Sequence, residues 1–182
     1  MSLKVGIVGA AGYAGAELIR LVLGHPEFEL VAITSNADAG QPLSAAYPSF
    51  AGVSDLVFTT HDAPELKSCD AVFLAVPHTA AMAQVPALLA AGVSCIDLSA
   101  DYRLSDPATF EAWYAAEHTS PELLKTRAFG LPSCSPRIWR PLHPIVPTAN
   151  PCWLPAPAAI PPQRALLPLL PCVRAGWPRT VP

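Results

Sequence analysis

VGIVGAAGYAGAELIRLVL, residues 5–23, spaces glycines at 6, 9, 12 and 15 between an apolar run and a run of helical periodicity. Leu3–Val8 reads as a buried strand: short, apolar and closed by glycines. Ala14–Leu23 carries apolar residues at 14, 18, 21 and 22, the spacing of one helix face, and His25-Pro26 ends it. A strand-to-helix turn leaves the first backbone N–H groups of the helix unpaired. The helix dipole adds positive potential there, so the turn favours an anion. Glycine removes the Cβ that would block a pyrophosphate and permits positive φ. Gly9, Gly12 and Gly15 therefore read as a phosphate-cradling turn, a G-x-x-G-x-x-G variant of the dinucleotide fingerprint. Ala11, Tyr13 and Ala14 are the intervening positions expected to face the same ligand.

Working outward, the pattern repeats. Phe28–Thr34 is a second strand, Leu56–Thr60 a weaker third, Asp70–Val76 a fourth and Val93–Leu98 a fifth. Thr79–Ala91 is alanine-rich and helical, ending at Gly92, and Pro107–Ala116 is a helix with proline in its first turn. Strands alternating with helices predict an α/β fold, a doubly wound, mostly parallel sheet of Rossmann-like type. Right-handed crossovers gather the loops after the strands on one edge, where ligands bind. Candidate chemistry thus lies at Gly9–Gly15, Thr34–Asn36, Pro77–Thr79 and Ser99–Arg103.

The second strand ends in Thr34-Ser35-Asn36, where an NAD site usually carries an acid for the ribose hydroxyls. Hydroxyl and amide groups instead donate to a 2′-phosphate, which favours NADP. Asp38 is near, and no Lys or Arg occurs between Arg20 and Lys67.

Bulk properties limit the alternatives. The chain has 182 residues, 52% hydrophobic and 14% charged, with a formal net charge of -3. Nucleic acid and anionic membrane are not expected partners at that charge. The apolar run from Ala71 to Val93 is broken by Pro77, His78, Gln84 and Pro86, against a membrane span. Five cysteines without a C-x-x-C pair point to a reducing, cytoplasmic setting and no metal site. Cys69 and Cys95, in or beside apolar strands, read as inert core thiols.

Composition breaks at residue 132. All 14 acidic residues lie in 1–132, with six basic ones, whereas 133–182 holds five Arg, 13 of the 22 prolines and no Asp, Glu, Lys or Tyr. The expected division is a nucleotide-binding domain over 1–132 and a poorly ordered, proline-rich tail over 133–182. That density of proline excludes long helices and central strands. The abrupt switch to Pro, Arg, Ala, Leu, Trp and Cys is the mixture expected of GC-rich DNA read out of phase. A proline-rich partner-binding extension is the rival account of the tail.

Five strings occur in order: GAAGYAGAEL (9–18), ITSNADAGQPLSAAYP (33–48), FLAVPHTAA (73–81), IDLSADYRL (96–104) and AFGLP (128–132). Together they resemble the N-acetyl-gamma-glutamyl-phosphate reductases, NADP-dependent enzymes of arginine biosynthesis. The resemblance implies attack of a cysteine thiolate on an acyl phosphate, then reduction of the thioester by NADPH to the semialdehyde. It implies that Gly9 to Gly15 hold the pyrophosphate and that Ser35 and Asn36 face the adenosine ribose; the family often has arginine at the latter position. Pro77 and His78 would lie beside the nicotinamide half. Ser99 and Arg103 would line the side of a small-molecule substrate, Arg103 as a forked anchor for carboxylate or phosphate. From its position alone His78 also suits capping of the helix near Thr79, and Arg103 also suits pairing with Asp101 or Asp106.

The family's nucleophile sits in a string close to NPGCYPT. Here Asn150-Pro151-Cys152 is a partial match without the glycine, which makes Cys152 the candidate nucleophile and leaves the chain with little or no expected activity. A non-catalytic nucleotide-binding module is the alternative. An aspartate-semialdehyde-type dehydrogenase is another, opposed by the GYAG turn and the SADYRL string. A sheet surface left bare by a missing second domain would favour self-association of copies.

Overall fold

The computed structural model describes residues 2–129 and the backbone of 153–155. Five parallel strands form one sheet in the order β2-β1-β3-β4-β5: β1 Leu3–Val8, β2 Phe28–Thr34, β3 Ala71–Leu74, β4 Ser94–Asp97 and β5 Trp153–Pro155. β1 lies between β2 and β3, so the strand order reverses beside it. In a doubly wound sheet a ligand crevice opens at that reversal, outside the carboxyl ends of the strands.

The helices cover both faces. α1, Tyr13–Leu23, buries Gly15, Leu18, Ile19 and Val22, one face of a 3.6-residue repeat. That face packs with Ile7, Ile33, Leu43, Phe50 and Phe58. Burying each of the large aliphatic side chains contributes on the order of 2 kcal/mol. α2, Leu43–Ala46, is a single turn on this side. The opposite face is covered by α3, Ala81–Ala90, whose Met82, Val85 and Leu88 pack with Val72, Leu74, Tyr102 and Phe110. Pro86 inside α3 deprives the Met82 carbonyl of its usual i+4 donor, and the Thr119 hydroxyl approaches that oxygen at 3.4 Å. α4, Pro107–Tyr114, starts at Asp106, whose carboxylate accepts from the N–H groups of Ala108 and Thr109.

Two sequence expectations need correction. Leu56–Thr60 is not a strand: its hydrogen bonds are split between Gly40-Gln41 and the end of β2, leaving only single bridges at Val57 and Thr59. α3 begins at Ala81, two residues late, because Thr79 has φ 73° and cannot continue a right-handed helix. Within the tail, Trp153–Pro155 is a short parallel strand beside β4. Proline is tolerated there because β5 lies at the sheet edge.

Candidate functional site

β1 delivers Gly9 at φ +79° into the reversal of strand order. The Thr34 carbonyl, ending β2, accepts from both Gly9 N–H and Ala10 N–H, at 3.1 and 2.9 Å. The three glycines then serve three different ends. A Cβ on Gly9 would sit 2.5 Å from the Ala75 carbonyl oxygen, so glycine lets the turn lie against the exit of β3. A Cβ on Gly15 would sit 2.5 Å from Gly9 O and 2.6 Å from Ala10 Cα, so glycine brings α1 onto the turn. A Cβ on Gly12 would meet only Gly9 O, at 3.6 Å, and otherwise project into free space.

That free space lies where the helix presents its donors. Gly12 is the N-cap and supplies no capping side chain. Among the described residues, nothing accepts from the N–H groups of Ala11, Tyr13, Ala14 or Gly15. The Tyr13 ring is 96% exposed and leaves the turn uncovered, while Tyr47 Oη donates to the Ala11 carbonyl at 2.6 Å and fastens the loop. Bare amides, a helix N-terminus and room at Gly12 fit the diphosphate of a dinucleotide.

The end of β2 is less open. Ser35 is buried, and its hydroxyl donates to Asp38 Oδ2 at 2.7 Å. Asn36 is exposed, with Oδ1 accepting from the His61 N–H. The His61 Nδ1 lies 2.7 Å from the Thr34 hydroxyl, and burial lowers the imidazole's pKa.

Beyond β3, Pro77 and His78 are exposed, and the His78 ring lies 5.5 Å from that of Tyr114. His78 does not cap α3. Asp101 does so from outside the helix: its carboxylate, fully buried, accepts from Thr79 N at 2.5 Å and Met82 N at 3.0 Å. Sequence reasoning missed this role. An acid 22 residues downstream of the N–H it accepts from leaves no local signature.

The turn after β4 is a closed network. Ser99 Oγ donates to Asp97 Oδ2 at 2.9 Å and accepts from the Asp101 N–H at 3.1 Å, so its hydroxyl is committed within the protein. Arg103 pairs with neither Asp101 nor Asp106. Its Nη2 donates to the Ser99 carbonyl, and its Nε is buried without a partner among the described residues. Arg127 closes the region by donating to the carbonyls of Tyr102, Leu124 and Arg103. His118 stands behind it, Nε2 facing the Asp101 carbonyl and Nδ1 accepting from Ser120 N.

Burial pushes the Asp97 carboxyl up to about 6, against the opposing pull of its two Ser99 hydrogen bonds. A folded pKa above the unfolded value favours folding when the group is protonated. This contribution is present below about pH 4 and is lost as pH rises through about 6. Asp97→Asn is therefore expected to flatten the stability profile over that window, removing a fall of up to about 3 kcal/mol. Urea unfolding at several pH values measures it; parallel profiles for the two proteins would refute the assignment.

Cys69 and Cys95 are buried, and desolvation raises both thiols, Cys69 to about 11. Neither is a nucleophile near neutral pH. Cys152 lies outside the described residues, as does most of 133–182. No helix among the described residues is long and apolar enough to cross a membrane. The structure thus gathers Gly9–Gly15, Ser35-Asn36, Pro77-His78 and Ser99 at one carboxyl edge, and holds Arg103 against Ser99.

Comparisons with known proteins point the same way. The family model described as "Semialdehyde dehydrogenase, NAD binding domain" matches residues 4–140. The N-acetyl-gamma-glutamyl-phosphate reductase of Herminiimonas arsenicoxydans is 56% identical over 129 residues, covering 71% of this chain and 37% of that protein. Its counterpart from Janthinobacterium sp. (strain Marseille) is 54% identical over 129 residues, with the same coverage. The chain thus spans little more than a third of the length of these relatives. Among solved structures, aspartate semialdehyde dehydrogenase with NADP from Candida albicans aligns with a TM-score of 0.51 at 26% identity, covering 59% of this chain and 32% of that chain.

Proposed function

Since the chain belongs to the family of semialdehyde dehydrogenase NAD-binding domains, we propose that it is the dinucleotide-binding part of an N-acetyl-gamma-glutamyl-phosphate reductase. The observation that carries this reading is the glycine turn at the strand-order reversal, its amides bare and its Gly12 side open. Sequence identity above 50% to reductases of that name supports the substrate class, an N-acetylated acyl phosphate. The structural likeness to an aspartate semialdehyde dehydrogenase with NADP supports a nicotinamide dinucleotide at this edge.

In this reading the backbone N–H groups of Ala11, Tyr13, Ala14 and Gly15 hold the diphosphate, and Gly9 and Gly12 shape the turn and leave room for it. Ser35 and Asn36 border the adenosine ribose, and Pro77 and His78 border the nicotinamide half. Bound NADP supplies hydride chemistry. Ser99 acts by shaping the turn that carries Arg103, and Arg103 anchors the substrate's anionic group. Its buried Nε has no partner among the described residues, which supports unused donor capacity. Cys152 marks the position of the family's thiolate nucleophile but lacks the glycine found there, so it is not expected to act as one in this chain. We place the boundary of the nucleotide-binding domain at 132/133, where the proline-rich composition begins, and read 133–182 as an out-of-phase translation. The setting is cytoplasmic, and copies of the chain are able to self-associate.

Calorimetric titration of the purified chain with NADPH tests the reading. A single site with Kd on the order of 10 µM is expected, with no turnover of the acyl phosphate in a parallel assay. Absence of binding would refute the dinucleotide site. Turnover at an ordinary enzyme's rate would refute the inactive state of the chain. Binding without turnover also fits a non-catalytic module, which the coding DNA distinguishes. A reading frame that restores NPGCYPT marks a reductase.

A further inference from the structure

We infer that Asp38, clasped by Ser35 at the end of β2, sets discrimination between the two nicotinamide dinucleotides and disfavours the one carrying a 2′-phosphate. The inference rests on the dinucleotide reading above. Ser35 is the first residue beyond β2, and its Oγ both donates to Asp38 Oδ2 at 2.7 Å and accepts from Asp38 N at 3.3 Å. The two bonds close a ring that fixes the carboxylate beside the strand end. Asp38 Oδ1 has no partner among the described residues. The adenosine ribose of a dinucleotide lies at the end of this second strand. A carboxylate there accepts from ribose hydroxyls and repels a phosphate in their place.

Among the described residues, no cation bonds to this carboxylate to offset that repulsion. Arg20, the last cation before the loop, forks onto Glu17 on the outer surface of α1. The His61 imidazole is spent on the Thr34 hydroxyl, and burial disfavours its charged form. Lys67 lines a cavity of about 150 Å³ with His61, Leu66, Ala87 and Leu88, and it bonds to none of Ser35, Asn36 and Asp38. Among the described residues, no Lys or Arg side chain bonds to Ser35, Asn36 or Asp38. Asn36 contributes an amide donor without charge. The acid at this strand end was not evident from Thr34-Ser35-Asn36 alone, because the chain folds back three residues to bring it there.

The full chain and its Asp38→Asn variant are titrated calorimetrically with NADPH and with NADH. The parent is expected to bind the two within about threefold of each other. The variant is expected to tighten NADPH by about tenfold and to leave NADH unchanged or slightly weaker. A second measurement needs no variant. Raising the salt concentration about tenfold screens a like-charge contact. The parent's affinity for NADPH should then rise relative to NADH. If both dinucleotides bind and neither the substitution nor salt moves their ratio, Asp38 has no such role and the dinucleotide site stands. A ratio that falls with salt assigns discrimination to a cation and overturns the inference. If neither dinucleotide binds either protein, the dinucleotide reading itself fails and the inference with it.

Discussion

Gly15→Val is expected to lower stability by about 3 kcal/mol or more and Tm by on the order of 10 °C. The smallest side chain at this position already places its Cβ 2.5 Å from Gly9 O and 2.6 Å from Ala10 Cα and O. All three are backbone atoms of the turn, so no rotamer change relieves the overlap. α1 must lift off the sheet, and Leu18, Ile19 and Val22 lose part of their burial. The N–H groups of the first helical turn move with it, so affinity for a dinucleotide should fall by about tenfold or more. Gly12→Ala is the contrasting case. Its Cβ meets only Gly9 O at 3.6 Å, so stability should stay within about 0.5 kcal/mol of the parent. Dinucleotide binding should nevertheless weaken, because the methyl group enters the ligand's space. Thermal unfolding and calorimetry on both variants measure the pair. Equal loss of stability in the two would mean that the glycines act alike and that Gly12 does not face a ligand.

Asp101→Ala is expected to cost about 3 kcal/mol. The carboxylate is fully buried and accepts from two backbone N–H groups, those of Thr79 and Met82. Hydrogen bonds to a charged group contribute about 1.5–3 kcal/mol each, and donors left buried and unpaired carry a desolvation cost. Thr79 adds to the effect. It is held at φ 73°, a conformation that costs a non-glycine residue roughly 1–2 kcal/mol, and the bond to Asp101 helps hold it there. Urea unfolding should show a lower midpoint with an unchanged slope. Thr79→Gly in the Asp101→Ala background should recover part of the loss. No recovery would show that the left-handed residue is not what the carboxylate supports.

The parts of the fold that were legible were those where neighbouring residues decide. β1, β2 and α1 are set by apolar runs and by punctuation at Gly9 and His25-Pro26, and their limits agree with the sequence reading within a residue. The glycine turn was legible because each glycine answers a local steric demand. Leu56–Thr60 misled because Phe58 is buried, as in a strand, while the segment bonds to two different partners and extends neither ladder. The candidate site was less legible wherever its contacts cross many residues. His78 stands where a cap belongs, yet the cap comes from Asp101. Ser99 looks free for substrate, yet Asp97 and the Asp101 amide occupy its hydroxyl. Asp38 was recognised as near, and only the Ser35 contact puts its charge at the strand end.

Arg127 has a practical consequence for anyone excising this unit. One guanidinium ties two separate stretches of chain, Tyr102-Arg103 and Leu124, through oxygens that never titrate. A cut at residue 126 would remove the staple and its bonds to the Tyr102, Arg103 and Leu124 carbonyls. A cut at 129 or later keeps it, so the safe place to trim is set by a single fork of nitrogen atoms rather than by the end of any helix or strand.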